Sequence, residues 1–117
     1  MKESNPILEK SMEFAVRIVN LRKYLEKEQR EYVISNQILR SGTSIGANVR
    51  EAIYGQSKND FIAKMSISLK EVSETEYWLE LLMRTEHITE EQYKSIKTDC
   101  SEIAKMLTAI VKTSKHK

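Results

Sequence analysis

Gln37-Ile38-Leu39-Arg40-Ser41-Gly42-Thr43-Ser44-Ile45-Gly46-Ala47-Asn48-Val49-Arg50-Glu51-Ala52 keeps a helical rhythm straight through two glycines. Ile34, Ile38, Gly42, Ile45, Val49 and Ile53 recur at steps of four and three, which puts them along one side of a 3.6-residue helix, whereas a strand would alternate. A glycine inside a helix costs about 1 kcal/mol relative to alanine. Gly42 and Gly46, one turn apart, therefore predict close backbone approach by a neighbouring helix. Beside this seam runs a second row, Gln37, Ser41, Ser44, Asn48 and Glu51. Short hydroxyl and amide side chains suit a tight contact in which each polar group finds a partner. The row reads either as a structural polar network or as a ligand-contacting strip.

Outward from this stretch, the chain reads as a succession of amphipathic helices. The first starts near Asn5, where Ser4 or Asn5 can cap and Pro6 fits the first turn. Ile7, Phe14, Ile18, Leu21 and Leu25 form its main row, widened by Leu8, Met12, Ala15 and Val19. The charged interval from Glu26 to Glu31 connects it to the second helix, expected over Glu31 to Tyr54. Gly55 and the cap-forming residues after it close that helix and open a third, from Lys58 to Arg84.

The third helix has Ile62, Met65, Leu69, Val72, Leu79 and Met83 as its main seam, yet Ile67, Trp78 and Leu81 lie on its other side. A helix apolar on two sides predicts either a central position or a subunit interface. Thr89 and Gln92 make a capping box for a fourth helix running toward Thr113. Along it, Tyr93, Ile96, Cys100, Ile103, Leu107 and Ile110 make a regular seam, so the single cysteine reads as a small core residue.

The 117 residues suffice for one domain, taken as 1–117, with 40% apolar and 31% charged residues, one proline and three glycines. Short links between long helices predict an all-α, antiparallel up-down-up-down four-helix bundle with shallow left-handed crossings. Charged residues at Lys2, Glu3, Glu9 and Lys10 leave no apolar leader. No apolar run approaches the roughly 18 residues of a membrane span. A cytoplasmic setting without membrane attachment is the expectation.

Catalytic chemistry finds little footing. A di-metal bundle needs Glu-x-x-His pairs, and neither His87 nor His116 forms one. Ser41 and Ser44 have no recognisable base, and the glycines sit inside helical periodicity rather than in a phosphate loop. No enzyme activity, metal or cofactor is expected. Glu51, Glu71 and Glu74 read as ion-paired carboxylates, with Arg40 and Arg50 available; the specific expectation is that Arg40 meets Glu71 or Glu74, in its own chain or an adjoining one. Net charge is only +2, but from Ile103 onward there is no acid, while Lys105, Lys112, Lys115 and Lys117 concentrate positive charge. Arg17, Arg22 and Lys23 form a possible second basic patch.

Arg40, Ser41, Ser44-Ile45, Asn48 and Glu51, followed by Ser68-Leu69-Lys70-Glu71-Val72-Ser73-Glu74-Thr75, carry a resemblance. The chain is similar over nearly its whole length to the bacterial "four helix bundle protein" family, also called the 23S ribosomal RNA intervening-sequence or S23 ribosomal protein family. One departure is Ala52, where the family often has glycine. The resemblance implies a homopentamer of four-helix bundles. It also implies kinship with the accessory variability determinant of diversity-generating retroelements, a basic ring that binds nucleic acid and a reverse transcriptase. Two functions follow as expectations: an RNA- or DNA-associated accessory factor, or an oligomeric scaffold for another protein.

Overall fold

The computed structural model describes residues 5–116. Four helices follow one another: α1 (Pro6–Lys27), α2 (Val33–Ile53), α3 (Lys58–Arg84) and α4 (Glu90–Lys115). Each packs against its sequence neighbours, and only a sparse meeting of α1 and α4 closes the bundle. The result is an all-α, antiparallel bundle measuring 46 × 23 × 22 Å.

Local chemistry places the helix ends. Asn5 Oδ1 accepts from the Leu8 amide at 3.3 Å, satisfying one of the donors that a helix start leaves open; Ser4 lies outside the described residues. Ser57 Oγ accepts from the Asp60 amide at 3.0 Å. Thr89 and Gln92 form a reciprocal capping box, at 3.0 and 2.7 Å. The start of α2 differs from expectation. Its cap position, Tyr32, makes no side-chain hydrogen bond. Instead the Glu31 carboxylate accepts from Val33, Ile34 and Ser35 amides at 3.2, 2.9 and 2.7 Å, a negative charge set against the helix's positive end.

No glycine marks the ends of α1 and α3, which the sequence leaves unpunctuated. Arg30 and Glu86 enter the left-handed region at φ 53° and 65° and take the place of glycine there. Beyond them the Glu31 and His87 amides return to the carbonyls of Leu25 and Leu82, each at 2.9 Å.

The buried residues follow a stricter rhythm than hydrophobicity alone suggests. Those of α1 are Ile7, Ser11, Phe14, Ile18, Leu21 and Leu25. In α3 they are Met65, Ser68, Val72, Thr75, Leu79 and Leu82. Along α2, Ser35, Ile38, Gly42, Ile45, Val49 and Ala52 keep the same alternation of threes and fours, with Ser41 buried beside them. This three-four spacing is the heptad rhythm of coiled-coil-like packing. Ile34, Ile53, Ile62, Leu69 and Met83, expected in the main seams, are only partly buried, while small hydroxyl residues and Leu82 take central positions.

Candidate functional site

The α2/α3 interface is sewn along its length by polar groups. Ser68 Oγ donates to the Ile45 carbonyl at 2.8 Å. The Ser41 and Thr75 hydroxyls share a hydrogen bond at 2.9 Å, and Thr75 Oγ1 lies 2.8 Å from the Glu71 carbonyl. Nearer the surface, the Arg40 guanidinium bonds Glu74 and stands 3.6 Å from Glu71. The indole N–H of Trp78 donates to the same Glu74 carboxylate at 3.0 Å. Arg40, then Trp78, hold the Glu74 carboxyl below its ordinary range, and Glu74 in turn raises the Arg40 guanidinium.

Of the expected network, Arg40 meets Glu71 and Glu74 across α2 and α3, and Ser41 meets Thr75 there. Ser44 and Asn48 do not cross. Ser44 Oγ donates back to the Arg40 carbonyl at 2.6 Å, and the Asn48 amide to the Ser44 carbonyl at 2.8 Å. These side chains satisfy themselves on their own helix. Glu51 also reaches α3, but away from this cluster, where it pairs with Lys64 at 2.9 Å. Arg40 is 52% exposed, so its pairing is a surface one in this chain.

The two glycines face α1. A Cβ at Gly42 would stand 2.8 Å and 2.9 Å from the γ carbons of Ile18, and one at Gly46 would stand 3.3 Å from the Ser11 carbonyl oxygen. Trp78, expected as an open interface anchor, is partly buried against the core, with Tyr77 edge-on to it at 4.9 Å and 75°. Leu81 is also partly buried, and Ile67 is exposed.

Among the lysines expected to meet phosphate, Lys105, Lys112 and Lys115 are exposed on α4, and no ion pair engages them among the described residues; Lys117 lies outside those residues. Lys94, eleven residues before Lys105 and unnoticed in the sequence, joins Lys105 and Lys112 on one side, since steps of eleven and seven return to the same face. The second patch does not hold together. Arg17 pairs with Asp99 at 2.8 Å and donates to Ser95, while Arg22 pairs with Glu26 at 2.9 Å. Of that group only Lys23 makes no ion pair among the described residues.

Cys100 is fully buried, and burial pushes its thiol up to about 12. A thiol so placed is a packing group rather than a nucleophile. No cluster of three or more His, Cys, Asp or Glu side chains able to hold a metal occurs among the described residues. No helix among them is long and apolar enough to cross a membrane.

Comparison with known proteins agrees with this architecture. A family model described as "23S rRNA-intervening sequence protein" matches residues 3–109. A crystal structure of a protein of unknown function from the S23 ribosomal protein family of Bacteroides thetaiotaomicron VPI-5482 is 65% identical, with a TM-score of 0.89. The match covers 91% of this chain and 98% of that one. Comparison with curated proteins gives no match. With the family model spanning nearly the whole bundle, the chain belongs to the 23S rRNA-intervening sequence protein family.

Proposed function

We propose that this protein is a non-catalytic, oligomeric bundle of the cytoplasm that associates with RNA or DNA through α4. The observation that supports the reading is a row of exposed lysines along α4 that no ion pair engages among the described residues. Lys94, Lys105, Lys112 and Lys115 are exposed, and both acids of α4 beyond Thr98 are committed to α1: Asp99 to Arg17 at 2.8 Å, and Glu102 to Lys10 at 2.6 Å. Pairing of these two acids with α1 leaves lysine in excess on the last three turns of α4. Repetition of that edge in an assembly, pentameric by the family resemblance, multiplies the lysine–phosphate pairings open to one strand.

Fluorescence anisotropy with a labelled 20-nucleotide RNA, across a salt series, tests the reading. The wild-type protein binds, and its affinity falls steeply as salt rises. Lys105→Glu combined with Lys112→Glu weakens binding and flattens the salt slope by about 0.7 for each phosphate of the single strand that is no longer neutralised. Unchanged affinity and slope overturn it. The exposed apolar residues Met12, Val16, Ile67 and Tyr77 favour a second reading, a scaffold for another protein such as a reverse transcriptase. Such an association, resting on apolar burial, would persist at high salt.

A further inference from the structure

The sparse α1/α4 seam is the least closed edge of the bundle, and a trough runs along it and around the first turn of α4. One part, of about 460 Å³, lies between the two helices and is lined by the buried Leu21 and Ile96, with Arg17 and Glu91. The other, of about 550 Å³, lies between the α1/α2 and α3/α4 connections, against the buried Ile88 and half-buried Met83, with Glu86 and Glu90. Tyr24 lines both parts, and its hydroxyl accepts from the Gln29 amide at 3.1 Å. Each part has the size of a small-molecule site, roughly 300–1,000 Å³.

The charge of this trough is one-sided. Glu86, Glu90 and Glu91 are exposed and make no ion pair among the described residues. No lysine lines either part. Arg17 is already committed to Asp99 and Ser95, and His87 shares a hydrogen bond with the Thr85 hydroxyl at 2.8 Å. Helix polarity accounts for two of the acids, since Glu90 and Glu91 sit at the positive start of α4. It opposes the third. Glu86 follows the last turn of α3, where the helix end is itself negative, and it holds a left-handed backbone, φ 65°, that suits glycine. A carboxylate there is locally unfavourable on both counts, and a cation beside it would offset that cost.

These features together specify the occupant. The apolar lining suits a flexible hydrocarbon body, the separated carboxylates suit several positive charges spaced along it, and the Tyr24 ring suits a cation over its face. A metal ion fits poorly, because no group of three or more His, Cys, Asp or Glu side chains converges to hold one among the described residues. We propose that the trough around the start of α4 binds an aliphatic polyamine, with its methylenes against Leu21, Ile96 and Met83 and its ammonium groups at Glu86, Glu90 and Glu91. This goes beyond the nucleic-acid reading and does not depend on it, since the trough shares no residue with the lysine row.

Isothermal titration calorimetry of spermidine into the full-length chain, at low salt and without nucleic acid, tests it. A single spermidine binds each chain, and the melting midpoint rises with its concentration. Glu86→Gln combined with Glu91→Gln weakens binding roughly tenfold, and Tyr24→Leu weakens it as well. Glu9→Gln combined with Glu13→Gln removes the same charge from exposed positions near the start of α1 and leaves binding unchanged. Glu86→Gly, suited to the left-handed backbone, replaces Glu86→Gln if that variant loses helicity. Hexaamminecobalt(III), equal in charge but without methylenes, competes poorly. Absence of saturable binding, an equal loss in the Glu9 and Glu13 variant, or equal competition by hexaamminecobalt(III) overturns the proposal. Tighter binding of a trilysine peptide than of spermidine also overturns it and assigns the trough to a basic protein segment.

Discussion

Gly42→Ala adds one methyl group at the closest approach of α1 and α2. On an open helix this replacement would stabilise by about 1 kcal/mol through backbone propensity alone. Here the new carbon meets Ile18 Cγ1 at 2.8 Å and Cγ2 at 2.9 Å, against about 3.5–4.0 Å for comfortable carbon–carbon separation. Ile18 cannot swing clear, because it is wholly buried and its own Cβ lies at 3.2 Å. Overpacking of this kind costs roughly 1–3 kcal/mol, so the net expectation is a loss of about 1 kcal/mol. In a chain of this size that lowers the melting temperature by roughly 3–6 °C. Urea unfolding followed by circular dichroism measures it, and an Ile18→Ala background supplies the control. That truncation alone costs about 2–5 kcal/mol, but it removes both γ carbons, so the added methyl should then stabilise. A coupling near 2 kcal/mol between the two sites is expected. If Gly42→Ala stabilises the otherwise wild-type chain, α1 does not press on this glycine and the packing argument fails.

Three further outcomes follow from the polar groups. Arg40→Ala should cost less than about 1 kcal/mol, since the guanidinium is half exposed; a loss of about 3 kcal/mol or more in the melting curve would show it buried against a second chain. Glu74 is held below its ordinary carboxyl value of 4.5, by Arg40 first and Trp78 second. A depressed folded value means that its contribution is complete above that pH and is lost as pH falls through the lower folded value. The fluorescence of the single tryptophan should report an acid transition below pH 4.5 that Glu74→Gln removes; an identical titration in that variant would detach Glu74 from Trp78. Glu31→Ala strips three amides at the start of α2 of their acceptor and should cost about 1–2 kcal/mol in chemical unfolding. An unchanged midpoint would mean that water caps this helix equally well.

The helices are legible in the sequence because caps and periodicity are local signals. Ser57, Lys58 and Arg84 bound α3 where expected, and Thr89 with Gln92 opens α4. The centre of each apolar stripe is harder to read. Ser68 and Thr75 sit in the core of α3 because a hydroxyl can settle on a helix carbonyl and lose little by burial, whereas hydrophobicity scores them as surface. Ile62 and Leu69 draw the expected seam to one side for the opposite reason. At the candidate site, Arg40 and Glu74 can be paired from position along their helices. The fate of Arg17 cannot, because its partner Asp99 lies 82 residues away on a helix that α1 meets only sparsely. Ser44 and Asn48 have the look of cross-helix groups in sequence, but each finds an acceptor four residues back on α2.

The thin seam between α1 and α4 bears on how the chain reaches this structure. Every extensive helix interface joins consecutive elements, so most of the loops that folding must close are short. Such a topology favours rapid growth from one helical hairpin to the next, with the meeting of the first and last helices as the single long-range event. Lys10–Glu102 and Arg17–Asp99 would then form after the rate-limiting step. Substitutions there would speed unfolding and leave the folding rate nearly unchanged, whereas Gly42 and Ile18, at the α1/α2 hairpin, would govern how fast the bundle forms.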